Sequence, residues 1–322
     1  MPGIPVAPVT AFAPATVSNV ACGFDVLGFA LEAPGDEVTA SFAGGRDGRV
    51  TIREISGDSG RLPREATRNT AGVAAQALLE RLGDRRDVVL SIRKGLPLAS
   101  GLGGSAASAA AAVVAIDALF DARAPIETLI ACALDGERIA AGSAHPDNVV
   151  PALCGGLVLV RAPNPPDVVR LPVPAGLTTV VVHPDLEIET ARARAMLGDT
   201  VPLADAVRQW GNLGALVDAL HRSDFALIAR ALEDSIAEPR RASLVPGLAG
   251  IKRAAIAAGA LGCGLSGSGP SLFAWCPSAE AARAVAAAMT AAVRSAVGGE
   301  PRTYVSPIAA RGARLAAGSA AR

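Results

Sequence analysis

Alternation of apolar and polar positions is clearest in RVTIREI, Arg49 to Ile55, and predicts a half-buried strand. The region from Val9 to Phe42 has a similar strand-like period, with loops at its proline and glycine clusters. The pattern then turns helical in NTAGVAAQALLERLG. Asn69 is placed to cap this helix, Leu78, Leu79 and Leu82 supply its apolar face, and Gly83 ends it. Asp87 to Leu98 reads as a strand running into a glycine loop, and a helix follows from Ser105 to about Phe120. Another helix, IETLIACALDGERIA, leads to a loop, AGSAHPDNVVPALCGG, and the strand LVLVRA. Recurrent proline makes Ala162 to Gly176 the expected linker. Beyond it come the strand LTTVVVHP and a helical stretch from about Glu189 to Glu233, broken near Gly198 and Pro202. A helix GLAGIKRAAIAAGA, a glycine-rich turn inside a strand (LGCGLSGSGPSLFAW), a helix from Ala279 to Val297 and the strand RTYVSPIA follow. This β-α-α-β-α-β order is compatible with a ferredoxin-like layer. The end, RGARLAAGSAAR, is expected to fray, and no solenoid repeat is present.

Composition adds scale. The 322 residues suffice for two domains, and with 51% hydrophobic but only 3% aromatic residues the core must be built from small aliphatic side chains. Thirty basic residues balance thirty acidic ones, so bulk charge gives no affinity for nucleic acid or membranes, and any anion site must be local. Five scattered cysteines and three histidines suggest neither a disulfide framework nor a zinc site. The N-terminus lacks the basic and apolar regions of a signal peptide, and Ala106 to Phe120 is too short to span a bilayer. A soluble cytoplasmic protein is expected.

Candidate chemistry gathers in three places. PLASGLGGSAAS joins a strand to a helix start, where unpaired amides and the helix dipole favour an anion. Gly101 to Gly104 would make room for a triphosphate there. The loop lacks the Gly-Lys-Ser/Thr ending of a P-loop, and its glycine spacing is wrong for a dinucleotide fingerprint. A second amide-rich turn, Gly262 to Pro270, could close on the same polyphosphate. Third, Glu137 ends a helix, and His145, Asp147 and Asn148 crowd a turn before Pro151. Glu137 and the Ser105 hydroxyl make a sensible Mg²⁺ pair for phosphoryl transfer. Each feature also has a bland alternative: a tight helix crossing, a β-bulge, a solvated helix face, a capping histidine.

Taken together, PLASGLGGSAAS, GSGPSLFA and APATVSNVACGFDVLGFAL resemble the GHMP kinases. With GERIAAGSAHPDNVVPALCGG and AEPRRASLVPG the chain is most similar to their homoserine kinase branch, from near residue 11 to near 310. The resemblance implies an α+β, two-domain GHMP kinase fold. Residues 1–165 would form a ribosomal-protein-S5-domain-2-like domain with the ATP phosphate loop, residues 166–322 a ferredoxin-like domain, and the site would lie between them. It implies ATP-dependent, Mg²⁺-assisted phosphorylation of L-homoserine to O-phospho-L-homoserine in threonine biosynthesis, by a homodimer.

The loop Pro97, Leu98, Ala99, Ser100, Gly101, Leu102, Gly103, Gly104, Ser105, Ala106 and Ala107 would wrap the phosphates, with Ser105 and Glu137 holding Mg²⁺. Asn19 and Asp25 would face the amino acid, Asp25 its ammonium group. His145 and Asn148 would sit at the hydroxyl and the transferring phosphoryl group, and Thr190 and Arg194 at substrate and phosphate. Arg241 would pair the substrate carboxylate, with Arg240 a rival, and Gly267 and Gly269 would close the site. Asp147 is a possible base, although the resemblance implies that none is obligatory. Two departures stand out: Gly104 replaces a serine common in the family loop, and Cys22 replaces a common proline or glycine. The alternatives are a GHMP kinase for mevalonate or a sugar, and a non-catalytic nucleotide or amino acid sensor.

Overall fold

The structure is a computed structural model that describes residues 7–142 and 144–318. The first six residues, part of the segment read above as carrying no leader, and the last four of the end expected to fray lie outside them. The elements in order are β1 Val9–Ser18, β2 Leu27–Phe42, β3 Val50–Ser56, α1 Thr70–Leu82, β4 Val88–Arg93, α2 Gly104–Phe120, α3 Ile126–Ala141, α4 Pro146–Cys154, β5 Leu157–Pro163 and β6 Pro166–Leu171. They continue with β7 Thr178–His183, α5 Thr190–Ala195, α6 Leu203–Arg222, α7 Phe225–Ala231, α8 Ala237–Arg241, α9 Leu248–Ala257, β8 Gly262–Leu265, β9 Leu272–Cys276, α10 Ala279–Val297, β10 Arg302–Pro307 and β11 Arg314–Leu315.

Two sheets result. The first runs β11-β1-β2-β4-β3, with β5 also on β2 and β6 on β5. Only β3 and β4 pair in parallel, as the crossover through α1 requires. The second sheet is antiparallel in the order β10-β7-β9-β8. Fourth, first, third, second is the ferredoxin-like arrangement of a β-α-β-β-α-β chain. The sequence order had one strand too few, because the glycine-rich segment is the hairpin turn between β8 and β9 and not a bulge within one strand.

Helix α2 explains the alanine content. It is apolar on all sides, and eleven of its seventeen residues are buried. It packs on β1 and β2 and against α1, α3 and α4. Small side chains let these layers approach closely, and a helix so enclosed fixes the position of the loop that feeds it.

Three expectations are corrected. The segment 162–176 is not a linker: β6 pairs back on β5 across Val160↔Val168 and its neighbours, so the hairpin itself straddles residues 165 and 166. AGSAHPDNVVPALCGG is not a loop throughout, since α4 occupies Pro146–Cys154. Pro146 suits the first helical turn, where no amide partner is needed, and the buried Val149, Val150 and Leu153 outweigh the hydrogen bond lost at Pro151. The C-terminal region is paired rather than frayed where it is described: Ala11↔Leu315 and Phe12↔Arg314 join β11 to β1. Among the described residues no helix is long and apolar enough to cross a membrane.

Candidate active site

A cleft of about 490 Å³ opens between the two sheets' domains. The glycine loop forms one wall, and its hydrogen bonds show how it is held. The carbonyls of Ala99, Ser100, Gly101 and Leu102 accept from Ile188 N–H (3.2 Å), Ser271 N–H (3.2 Å), Ser266 Oγ (2.7 Å) and Thr16 N–H (3.1 Å). Every one of these carbonyls is therefore turned outward into protein. The N–H groups of Ala99 to Gly103 meet no acceptor among the described residues. Four of these residues, Ala99, Ser100, Gly101 and Gly103, line the cleft, and with the start of α2 following directly they make an anion cradle.

The glycines serve a different purpose from the one expected. Gly101 has φ 76°, and a Cβ there would lie 2.4 Å from the Ser266 carbonyl oxygen. Gly103 has φ 65°, and a Cβ would lie 2.0 Å from Thr16 Oγ1 and 2.8 Å from Asn148 Oδ1. Close approach of the loop to its surroundings, and not empty space for a ligand, demands glycine at both positions. Leu102, Ala106 and Ala107, expected in the phosphate wrap, are buried in the core and do not line the cleft. The Ala107 amide already donates to the Gly103 carbonyl, as helix geometry dictates.

Of the other expected site residues, Asn19, Asp25, Ser105, Glu137, His145, Asn148, Thr190, Arg194, Arg241 and Gly267 all line the cleft. Gly269 does not. Asn19 is engaged structurally: its Oδ1 accepts from Asp25 N–H and its Nδ2 donates to the Gly267 carbonyl. Both residues have positive φ, in a turn between β1 and β2. Asp25 Oδ2 pairs with Arg194 Nη1 at 2.6 Å, so each side chain expected to face substrate here meets the other. Arg241 donates from Nε to the Ala193 carbonyl and from Nη1 to the Gly267 carbonyl. Burial lowers its pKa from the usual value. Arg240 instead ties down the carbonyls of Leu197 and Thr200, outside the cleft. The geometry thus favours Arg241 over its neighbour.

Asn148 is locked by two buried hydroxyls: Thr16 Oγ1 donates to its Oδ1 (2.7 Å) and its Nδ2 donates to Ser18 Oγ (3.0 Å). His145 Nδ1 lies 3.3 Å from Glu137 Oε1. Burial works against the imidazolium, but the Glu137 hydrogen bond and the charges of Glu137, Asp147 and Asp25 prevail and raise its pKa. Glu137 Oε2 is buried without a hydrogen-bond partner, and so is Asp147 Oδ1. A carboxylate oxygen so placed suits a cation, and the Ser105 hydroxyl, which lines the same cleft, is a second hard oxygen donor of the kind Mg²⁺ takes. Burial, then the Asp25 charge, pushes the Asp147 carboxyl up to about 7. Cys22 is buried in the turn before Asp25, and burial pushes its thiol up to about 12, which keeps it neutral.

Several lining residues escaped the sequence reading. Phe24 lies under both guanidinium groups, with Arg194 and Arg241 at 5.2 and 5.4 Å from its ring centre. Leu62, Pro63, Asn69 and Thr70 also line the cleft, although Asn69 had signalled only a helix cap. Lys94 and Ser108 line it too. A neighbouring phenylalanine was the available signal for the arginine pair; nothing local marked the others.

Two family models match the chain, the GHMP kinases N terminal domain over residues 69–156 and the GHMP kinases C terminal model over residues 216–295. Homoserine kinase of Chlorobaculum tepidum is 46% identical over 316 residues, covering 95% of this chain and 98% of its own. The chain belongs to the homoserine kinase family of the GHMP kinases. Homoserine kinase of Xanthomonas campestris pv. campestris, a more distant family member, is 44% identical and covers 95% of this chain and 94% of its own. The crystal structure of the homoserine kinase from Cytophaga hutchinsonii superposes with a TM-score of 0.92 at 45% identity, over 96% of this chain and 97% of that one. A mevalonate kinase from L. major, at 18% identity and TM-score 0.70, shares the fold.

Proposed function

We propose that this homoserine kinase family member transfers the terminal phosphoryl group of ATP to the side-chain hydroxyl of L-homoserine, giving O-phospho-L-homoserine for threonine biosynthesis. The observation that carries the reading is the run of partnerless amides from Ala99 to Gly103, backed by outward-turned carbonyls. It is a cradle for phosphate oxygens in a chain without net charge. The same cleft offers both charges that a zwitterion needs. Asp25 would leave Arg194 for the substrate ammonium, and the Arg241 fork would take the carboxylate. Mevalonate has no ammonium group, and it would leave Asp25 facing its carboxylate.

When bound, a divalent cation supplies charge neutralisation at the phosphoryl oxygens. Glu137 and Ser105 would hold it, as the orphaned Glu137 oxygen supports. Asn148, fixed by Thr16 and Ser18, would orient the hydroxyl with the remaining hydrogen of its amide. The hydroxyl oxygen forms the new bond to phosphorus while the bond from phosphorus to the bridging oxygen of ADP breaks. Asp147 takes up the hydroxyl proton, a role that its raised pKa supports. The transition state is loose, so the loop amides and Arg194 contribute mainly by alignment and charge. Thr190 and His145 line the substrate side, and Gly267 closes it from the C-terminal domain.

Assembly as a homodimer and action in the cytoplasm belong to the same proposal. Leu203, Val207 and Trp210 lie exposed along one stripe of α6 and offer apolar area that a second copy would cover. The test is ADP release with Mg-ATP and, separately, L-homoserine, L-threonine, mevalonate and galactose. Turnover confined to L-homoserine is expected. Turnover of mevalonate or galactose would reassign the substrate, and tight ATP binding without turnover would favour the sensor.

A further inference from the structure

At the lining residues Lys94 and Ser108 the cleft meets a buried polar cluster that has every hydrogen-bonding group engaged within the protein. Asp36 in β2 is fully buried. Its Oδ1 accepts from the N–H groups of Gly95 (3.0 Å) and Leu96 (3.2 Å). Its Oδ2 accepts from Ser108 Oγ (2.7 Å) and pairs with Lys94 Nζ. Lys94 spends its other two donors on the Gly104 carbonyl (2.7 Å) and Ser108 Oγ (2.8 Å). A charged pair is costly to bury unless all its groups are satisfied, and here they are.

The location of these partners matters more than the pairing. Gly95 and Leu96 directly precede the segment Pro97 to Gly103, while Gly104 opens α2 directly after it and Ser108 lies one turn further on. One carboxylate and one ammonium thus grip both ends of the segment Pro97 to Gly103. The outward bonds of Ala99 to Leu102 fix the middle of that segment, so the grip at its ends sets the separation across which it arches. We infer that Asp36, Lys94 and Ser108 are positioning residues for nucleotide binding, which set the curvature of the loop and so aim its free amides. A ligand-free cluster with only a folding role has no need to span both loop ends. The inference rests on the reading of the loop as the nucleotide cradle.

The experiment measures nucleotide affinity by equilibrium titration with ADP, alongside KM for L-homoserine and thermal unfolding, in the full chain. Ser108→Ala removes one hydroxyl that both charged groups share and should remain folded. Two bonds are lost, and if about 1 kcal/mol of that loss falls on the nucleotide-bound loop, ADP binding weakens roughly fivefold. The KM for L-homoserine should stay within about twofold of the unmodified protein. Asp36→Asn, which strands the Lys94 charge, should weaken ADP binding further. Val285→Ala, a buried truncation in α10, supplies a comparable loss of stability with ADP affinity unchanged. If Ser108→Ala and Asp36→Asn lower the melting temperature as Val285→Ala does but bind ADP like the parent, the positioning role is overturned. If the parent itself fails to bind ADP or ATP, the cradle reading fails instead, a separate outcome.

Discussion

Gly103→Ala tests the loop architecture at its tightest point. The new Cβ would lie 2.0 Å from Thr16 Oγ1 and 2.8 Å from Asn148 Oδ1, on a backbone with φ 65°. Holding alanine in the left-handed region costs about 1–2 kcal/mol. Relieving the overlap breaks the 2.7 Å hydrogen bond from Thr16 to Asn148, for roughly another 1 kcal/mol. The variant should therefore lose about 2–3 kcal/mol of stability, which for a chain of this length lowers Tm by roughly 3–4 °C. Activity should fall much further. Asn148 loses its anchor and the cradle shifts, and a displacement near 1 Å costs about a hundredfold in rate. Thermal unfolding and a coupled ADP assay on one preparation measure both effects. A Gly103→Ala protein with parental Tm and kcat/KM would refute the close packing of loop, Thr16 and Asn148.

Other outcomes follow from single residues. Arg241→Ala should raise KM for L-homoserine at least tenfold, while Arg240→Ala, which loses only bonds to the Leu197 and Thr200 carbonyls, should leave it within about threefold; the reverse order in steady-state kinetics would exchange their roles. Burial, helped by the Arg302 charge, depresses His183 to about 4. Its unfolded form binds the proton first, so stability is full above about pH 6.5 and is lost as pH falls from there towards 4. His183→Gln should flatten the decline of Tm over that range, and an unchanged decline would contradict the assignment. Trp210→Glu should convert a dimer to a monomer in sedimentation velocity with little change in Tm; a dimer that persists would place the interface elsewhere.

Much of the fold could be read from local pattern. Asn69 caps α1 through the N–H groups of Ala71 and Gly72, and Gly83 ends it in the left-handed region, as the residues suggested. The misreadings came where long-range burial overrode local signals. AGSAHPDNVVPALCGG reads locally as a loop, yet α4 forms within it because Val149, Val150 and Leu153 have a core to enter. Proline-rich residues 162–176 suggested a linker, but β5 supplied an edge for β6. Residue type points to the glycine loop and Glu137, and the family resemblance to Asn148 and Arg241, all of which the structure brings to one cleft. The site was not legible where partners are distant in the chain. Asp36 lies 58 residues before Lys94, and nothing near either announces the pair. The Thr16–Asn148 bond spans 132 residues. The free amides of the loop depend on donors to its carbonyls from β1, the turn between β8 and β9 and the segment before α5, which no local spacing encodes.

The most direct measurement is identification of the product formed from Mg-ATP and L-homoserine, by ³¹P NMR and mass spectrometry. The account predicts a phosphomonoester on the side-chain oxygen of homoserine, formed in equal amount with ADP. Release of inorganic phosphate with unmodified homoserine, or phosphate transfer only to another alcohol, would contradict it.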